Sequence, residues 1–431
     1  MSFPENTLNP EASKKAMRNA IFAQCFGMLG TLLFENGIML LYLLLMGISQ
    51  TRVMSYLAVP WVCFFAAVPA AYYSDKFGKK RVGGAGNIFS VLGMAAIASA
   101  AFFSSGLLRE LVAVGGIIVM ALGTSMFQSS WFALLRPVVP AALRGRFFGN
   151  LRISWQISCI IVSGITAWIL GACGNILVYQ LIIGSLGFMI FARLFFYKKI
   201  PELEKIQTSS KSFREAFGTI MRIQGYVQFG SYIFLVKIFT AYCPTIFALL
   251  EKEVLHLDSS TVVWLANIGL AGSLVGFFIG GWLVDKIGTK PIFIICHIGF
   301  ALALGVFIMR GFCGGIALMP VLWFSHFFFN LLVAAGSIAI TTELLGMLPV
   351  ENSSMASSVL MAFVYAGTAA AGFLGAAVLN MGFLMEKWEI GNMVMSRFDT
   401  ILLASAVMIL LLTVTLGLIP SVLAKNKKSL E

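Results

Sequence analysis

Two charged side chains stand inside long apolar segments, where charge is costly. Glu35 lies in the apolar segment 20–46, and Lys237 lies in the apolar segment 226–250. An ionisable group at the centre of a lipid bilayer costs ~2.5–3.5 kcal/mol on insertion scales, so each needs a reason to be there. The two residues predict a substrate or proton site, because a carboxylate can carry a proton and an ammonium can bind an anion. The alternative is a structural ion pair between them.

Other polar residues recur at helical spacing within apolar segments, so each set shares one helix face. An aqueous cavity lined by amides and tryptophans suits a small polar solute. The alternative for each tryptophan is core packing, and for the histidine it is a hydrogen-bonded position in the core. The two sets are Thr124, Gln128 and Trp131, and Trp323, His326 and Asn330.

The composition indicates which medium must surround these segments. Of the 431 residues, 59% are hydrophobic and 11% are charged, and the mean hydropathy is +0.92. A soluble domain has roughly 25% charged residues, so this chain is predicted to be surrounded by lipid. The net charge of +12 comes from basic residues in short loops, which excludes a nucleic-acid-binding domain. Twelve apolar segments are each long enough for a membrane helix, which needs about 20 residues.

The basic residues also predict an orientation. Of the 30 lysines and arginines, 22 lie on one side of the predicted spans, 6 lie on the other, and 2 lie within spans. Loops rich in lysine and arginine stay in the cytoplasm. Both termini are therefore expected in the cytoplasm, in a multi-pass protein of the inner (cytoplasmic) membrane.

The chain contains an internal repeat. The stretches Ala71–Lys80 and Gly281–Lys290 both read small-x-x-x-Asp-Lys-x-Gly-x-Lys, and their aspartates are 210 positions apart. A proline precedes both the fifth and the eleventh segment, and those prolines are 209 positions apart. Two features at nearly one offset indicate duplicated halves. We expect six-helix bundles at 1–197 and 225–431, joined by a cytoplasmic linker at 198–224.

These residues carry a family resemblance. Gly281–Lys290 resembles the G-x-L-x-D-x-x-G-x-K loop of the major facilitator superfamily, and Pro140–Arg146 resembles that family's cytoplasmic loop between the fourth and fifth helices. The first copy of the loop departs from the pattern at Ala71 and Tyr73. The resemblance implies an all-α membrane protein with twelve transmembrane helices in two pseudo-symmetric six-helix bundles.

The resemblance also implies a cytoplasmic latch between the halves. The second glycine of each copy permits a tight turn, and the aspartate can lie at the positive N-terminus of a neighbouring helix. The first glycine lets two helices approach closely. The alternative is an ordinary solvated turn. The residues expected to form the latch are Asp75, Gly78, Arg146, Gly281, Asp285 and Gly288.

In the resembled family, helices one, four, seven and ten line a central cavity. That implies a set of substrate-binding residues on those four helices. The set is Glu35, Gln128, Trp131, Lys237, Trp323, His326 and Asn330.

The function predicted from these observations is secondary active transport by alternating access. The chain has no H-E-x-x-H, G-x-S-x-G or Walker sequence, so it is not expected to be an enzyme or to use ATP. We expect proton- or sodium-coupled uptake (symport) of a small polar metabolite, such as a sugar, by a monomer in the bilayer without cofactor or metal. The alternatives are a multidrug/proton antiporter that works in efflux and a non-transporting membrane sensor of the same fold.

Overall fold

The structure is a computed structural model of the chain. It describes residues 9–135, 137–140, 144–203, 213–222, 225–312, 317–347, 353–391 and 393–418.

Helices dominate the described residues, and one short hairpin accompanies them. The helices are α1 Pro10–Glu35, α2 Ile38–Leu45, α3 Gln50–Cys63, α4 Ala67–Phe77, α5 Lys79–Ser99, α6 Gly106–Leu135, α7 Arg144–Ala172, α8 Ile176–Tyr197, α9 Phe213–Met221, α10 Tyr226–Thr240, α11 Cys243–Glu253, α12 Ser259–Ile287, α13 Thr289–Met309, α14 Leu318–Met347, α15 Ser353–Asn380 and α16 Arg397–Leu418. The strands are β1 Lys387–Ile390 and β2 Met393–Ser396.

These helices confirm the predicted membrane architecture. In the described ranges, eleven spans are long and apolar enough to cross a bilayer, and the pair α1–α2, bent by 52°, makes a twelfth if it is counted as one span. In lipid, each backbone polar group must be satisfied within its own segment, which is why such long apolar segments are helical. The chain is a multi-pass, all-α membrane protein.

Side chains fix where some of these helices begin. The side chain of Asn9 accepts a hydrogen bond from the backbone N–H of Glu11 (3.3 Å), and Pro10 opens α1. The side chain of Asn175 accepts from the N–H of Val178 (3.0 Å) at the start of α8. Both asparagines satisfy donors that the helix itself leaves without a partner.

The chain divides into two compact units. The first comprises Met1–Phe213 with Ser259–Val263, and the second comprises Arg214–Asp258 with Trp264–Glu431. The linker predicted at 198–224 remains a prediction.

Within the first unit, α5 and α6 pack with their backbones almost in contact. A Cβ atom at Gly86 would lie 2.5 Å from the carbonyl oxygen of Gly123, and one at Gly116 would lie 2.8 Å from that of Gly93. Small residues give such close packing in membranes, where lipid removes the hydrophobic drive between helices. Glycines on both helices therefore allow the backbones of α5 and α6 to approach this closely.

Within the second unit, α12 packs against α14 in the same way. A Cβ atom at Gly272 would meet the backbone of Phe327, and one at Gly280 would lie 2.6 Å from the Cα of Ala335. Gly276, between these two positions along α12, would meet the carbonyl of Leu331. These glycines set the distance between α12 and α14.

The two repeated loops adopt matching turns. Gly78 separates α4 from α5 with φ 99°, and Gly288 separates α12 from α13 with φ 83°. The N–H of each glycine bonds the carbonyl four residues earlier, that of Ser74 at 3.0 Å and that of Val284 at 2.9 Å. The predicted requirement for glycine at the turn is confirmed in both copies.

We expect Gly288→Ala to lower the free energy of unfolding by about 1–3 kcal/mol, because its φ of 83° and ψ of 176° suit glycine almost exclusively. Gly281→Ala is the matched control. Gly281 is helical, no described atom lies within 4 Å of a Cβ placed there, and alanine favours helix. Thermal unfolding of the purified protein in detergent measures both variants. Equal melting temperatures of the two variants would contradict the requirement for glycine at position 288.

The hairpin between α15 and α16 was not predicted from the sequence. β1 and β2 pair antiparallel, with Lys387 opposite Ser396 and Ile390 opposite Met393. The indole N–H of Trp388 donates to the hydroxyl oxygen of Thr400 (2.9 Å), which fixes the hairpin to the first turn of α16.

Candidate functional site

The first span breaks immediately after Glu35. α1 ends there, Gly37 takes φ 78°, and α2 continues at an angle of 52°. The fully buried side chain of Asn36 holds the break: its amide donates to the hydroxyl of Ser163 on α7 (3.2 Å), and its carbonyl accepts from the N–H of Ile38 (3.3 Å). The break places a carboxylate at the end of a helix in the middle of a span.

Glu35 lines a cavity within the first unit. The side chain is exposed to this cavity, and no described residue of the unit forms an ion pair or hydrogen bond with its carboxylate. The hydroxyls of Thr31 and Thr124 donate to backbone carbonyls at 2.8 and 2.9 Å, so their hydrogens are already used. The lining residues other than Glu35 are Thr31, Phe34, Pro60, Trp61, Phe64, Met120, Ala121 and Thr124.

The first span of the second unit has a corresponding interruption. α10 ends at Thr240, and α11 begins at Cys243 with Pro244 in its first turn. Lys237 lies in the last turn of α10 and is half-buried. Each unit thus carries one charged residue beside the break of its first span.

Lys237 lines a cavity within the second unit. No described residue of this unit accepts a hydrogen bond from its ammonium group. The lining residues other than Lys237 are Tyr232, Ile233, Val236, Thr240, Phe293, Cys296, His297, Phe300, Val333, Gly336, Ser337 and Ile340. The cavity is therefore largely apolar, with a single cation at its wall.

Two of the predicted residues of α6, Gln128 and Trp131, do not line these cavities. Gln128 is half-buried, and Trp131 is 1% exposed and packs against Phe127 and Tyr197, with ring centroids 5.2 and 6.4 Å away. Trp131 lies in the hydrophobic core of the first unit. That placement agrees with the core-packing alternative. Thr124, from the same predicted set, does line the Glu35 cavity.

The predicted residues of α14 point in different directions. Trp323 is 50% exposed, whereas His326 is buried and Asn330 is half-buried. The amide of Asn330 donates to the carbonyl of His326 (3.0 Å). None of the three lines either described cavity, so the structure does not bring them together with Lys237.

His326 has a partner that sequence reasoning missed. Its Nε2 atom lies 2.6 Å from a carboxylate oxygen of Glu251 on α11, and both side chains are at least 95% buried. The other carboxylate oxygen of Glu251 is buried without a partner among the described residues. The sequence analysis ended the seventh span at Leu250, whereas α11 continues to Glu253. The sequence carries a signal for this continuation, because Glu251 lies one helical turn after the apolar Phe247 and so shares its helix face.

The second unit also contains a buried ion pair. Arg310, just after α13, lies 2.7 Å from Asp399 in the first turn of α16, with side chains 6% and 1% exposed. The other oxygen of Asp399 accepts from the N–H and the hydroxyl of Ser396 at 2.8 and 2.7 Å. The sequence analysis did not predict this pair.

Three of the predicted latch side chains, those of Asp75, Arg146 and Asp285, lie outside the described side chains. At Gly281, the close helix approach expected from the sequence is not found among the described atoms. The latch itself therefore remains a prediction.

In each unit, a glutamate outside the repeated loop accepts hydrogen bonds at the start of the helix that follows the loop. Glu202 accepts hydrogen bonds from the N–H groups of Lys79 (2.6 Å) and Lys80 (3.4 Å), and so caps the first turn of α5. In the second unit, the hydroxyl of Thr289 at the start of α13 donates to Glu343 (2.7 Å). These carboxylates stabilise the starts of both helices, as negative charge does at a helix N-terminus.

No family model and no curated protein matches the sequence of this chain. Solved structures do match its fold. A POT family transporter in complex with 5-aminolevulinic acid superposes with a TM-score of 0.73 at 11% identity, covering 98% of this chain and 99% of that one. A mutant of the nucleoside transporter NupG gives 0.69 at 12% identity, covering 94% and 99%. The xylose transporter XylE from E. coli, partially occluded and inward open, gives 0.65 at 13% identity, covering 94% and 96%.

These likenesses confirm the fold that the sequence predicted. The chain has the fold of these transporters, which is the fold implied by its resemblance to the major facilitator superfamily, with eleven or twelve candidate spans among the described residues.

Proposed function

We propose that the protein is a secondary active transporter that takes up a small solute together with protons by alternating access. The observation that supports this most is Glu35, a carboxylate at a helix break in the middle of a span. It is exposed to a cavity and has no ion-pair or hydrogen-bond partner among the described residues of its unit. A carboxylate so placed can take up and release a proton without dismantling a hydrogen-bond network. Intramembrane carboxylates commonly form proton relays in transporters.

The solved structures of similar fold support transport of a small molecule. They include transporters named for xylose and for nucleosides, and a transporter bound to 5-aminolevulinic acid. We propose a monomer in the inner membrane with both termini in the cytoplasm, as the distribution of basic residues predicts. The latch formed around Asp75 and Asp285 is part of the proposal.

A second function has one observation in its favour. Phe34, Trp61 and Phe64 surround the Glu35 cavity, and aromatic faces attract organic cations. Multidrug efflux in exchange for protons would use such a cavity. The direction in which a proton gradient moves solute separates the two functions.

Glu35→Gln is expected to abolish accumulation driven by a proton gradient but to leave exchange of the same solute across the membrane largely intact. Glutamine keeps the shape of the side chain but cannot carry a proton. The measurement uses the full chain in proteoliposomes, with radiolabelled D-xylose, uridine, 5-aminolevulinic acid and phenylacetate, and with or without an acidic exterior. Glu253→Gln, at an exposed acid near the end of α11, is the control.

Two results would separate the alternatives for Glu35. If it pairs with Lys237, each single neutralisation should lower the melting temperature, and the double neutralisation should recover part of the loss. Normal accumulation together with normal melting in Glu35→Gln would remove Glu35 from both roles.

A further inference from the structure

The hydrogen atoms of the neutral polar side chains around Lys237 are committed to other partners. The hydroxyls of Thr240 and Ser337 donate to the carbonyls of Val236 (2.9 Å) and Ala334 (2.7 Å), one turn back along their own helices. The thiol of Cys296 donates to the carbonyl of Leu332. A ligand in this cavity therefore finds few neutral donors for its own oxygen atoms.

The polar hydrogen atoms of the buried side chains of His297 and Tyr232 also have hydrogen-bond partners. Nδ1 of His297 lies 2.6 Å from the carbonyl of Phe293, and since a carbonyl only accepts, this nitrogen carries the hydrogen. None of the described residues that line this cavity is an acid, and burial of a charged ring without one would be costly, so the ring is neutral and its Nε2 is an acceptor. The hydroxyl of Tyr232, 3.2 Å away, then donates to Nε2. The Lys237 ammonium is left as the donor available to a ligand.

The rest of the wall is carbon. Ile233 and Val236 on α10, Phe293 and Phe300 on α13, and Val333 and Ile340 on α14 supply aliphatic and aromatic surface around the ammonium. Sugar recognition needs several donors and acceptors in the wall, because each hydroxyl must exchange its bonds to water for bonds to protein. A cation with apolar surroundings instead fits one acid group on an apolar body.

We propose that the Lys237 cavity binds the acid group of a small organic anion whose body is apolar, such as an aryl or branched alkyl monocarboxylate. This inference rests on the proposed function and narrows its substrate class from polar metabolites in general, sugars included, to amphiphilic monocarboxylates. The carboxylate accepts a charge-assisted bond from Lys237, and the body packs on the carbon wall.

The test is equilibrium binding to the purified full chain in detergent, so that passive permeation of weak acids does not interfere. The probes are phenylacetate and 4-methylpentanoate, each with its neutral amide, together with 2-phenylethylammonium and D-xylose. Each carboxylate is expected to bind at least about 10-fold more tightly than its amide, since the amide loses the charge-assisted bond.

Variants assign the effect to Lys237. Lys237→Gln is expected to weaken carboxylate binding by roughly 10- to 100-fold, whereas Lys237→Arg should retain most of it. Lys387→Gln, at an exposed lysine of β1, is the control, and melting of each variant confirms that it is folded.

The results that overturn this inference differ from those that overturn the proposed function. Equal binding of acid and amide, absence of carboxylate binding, or preference for D-xylose or 2-phenylethylammonium would overturn the inference while leaving the Glu35-dependent transport assay intact. Conversely, Lys237-dependent carboxylate binding together with proton-independent transport in the wild type would overturn only the proposed coupling.

Discussion

Replacing Asp399 with alanine is expected to lower the free energy of unfolding by about 3–5 kcal/mol, as removal of one partner from a buried ion pair does. The change leaves the Arg310 guanidinium, 6% exposed, without its acid. It also removes the oxygen that accepts from the N–H and hydroxyl of Ser396. Unfolding of the purified protein in mixed detergent micelles measures the loss.

Asp399→Asn separates the two contributions. The amide oxygen can still accept the hydrogen bonds from Ser396. This variant should therefore lose the charge interaction but keep these capping bonds at the start of α16, which are worth about 0.5–2 kcal/mol. The double variant Arg310→Met/Asp399→Asn should recover part of the loss, because no buried charge then lacks a partner.

The pair of Arg52 and Glu110 offers a matched control. Its nitrogen and oxygen atoms are 2.6 Å apart, against 2.7 Å for Arg310 and Asp399, but the Arg52 side chain is 55% exposed. Arg52→Ala should cost only about 0.2–1 kcal/mol, since water screens an exposed pair. Similar losses for Arg52→Ala and Asp399→Ala would contradict the importance of burial here.

His326→Leu is the second substitution for which we expect a loss of about 3–5 kcal/mol. Nε2 of His326 is the partner of one Glu251 oxygen at 2.6 Å, and the second oxygen is already buried without a partner among the described residues. Phe247 and Phe307 pack against the imidazole, with ring centroids 5.3 and 6.4 Å away, and neither can replace the lost polar contact.

Glu251→Gln is the informative comparison. Glutamine can bond to the imidazole whichever hydrogen position the ring takes, so this variant should lose clearly less than His326→Leu. The double variant Glu251→Leu/His326→Leu should be more stable than His326→Leu alone, since both polar groups are then gone. If His326→Leu melts like the wild type, the pair between α11 and α14 does not stabilise the second unit.

The number of spans and the repeated glycine turns could be predicted from the sequence. Long apolar segments have one stable form in lipid, and a turn such as that at Gly288 requires a residue without a side chain. The same reasoning located Glu35 and Lys237, because charge in an apolar segment is visible without any structure. The structure then placed both beside a break and against a cavity.

Which side of each helix faces the core and which faces lipid could not be predicted in the same way. In a membrane helix, both the lipid-facing and the core-facing sides are apolar, so periodicity does not tell them apart. Trp323, His326 and Asn330 share a spacing, yet Trp323 is half exposed while His326 is paired in the core. Trp131 likewise lies in the core of the first unit, whereas Thr124, two turns earlier on α6, lines the Glu35 cavity.

Some signals were present in the sequence but were not used. Gly391-Asn392 stands between short alternating segments, which is a typical hairpin pattern, and β1 and β2 flank it. Asn36-Gly37 interrupts an otherwise apolar segment, and the first span breaks there. Polar or flexible residues inside an apolar segment therefore indicate backbone geometry as well as chemistry.

The break after Glu35 has an electrical consequence. A helix that stops in mid-span leaves its last carbonyl groups without helical partners, and lipid cannot satisfy them, so we expect water from the cavity to reach them. A transmembrane voltage then falls mainly across the part of the protein that stays dry. Transfer of one elementary charge across that dry layer is worth up to about 2.3 kcal/mol per 100 mV. Charge movement at Glu35 should therefore be registered as a current in a voltage-clamped bilayer.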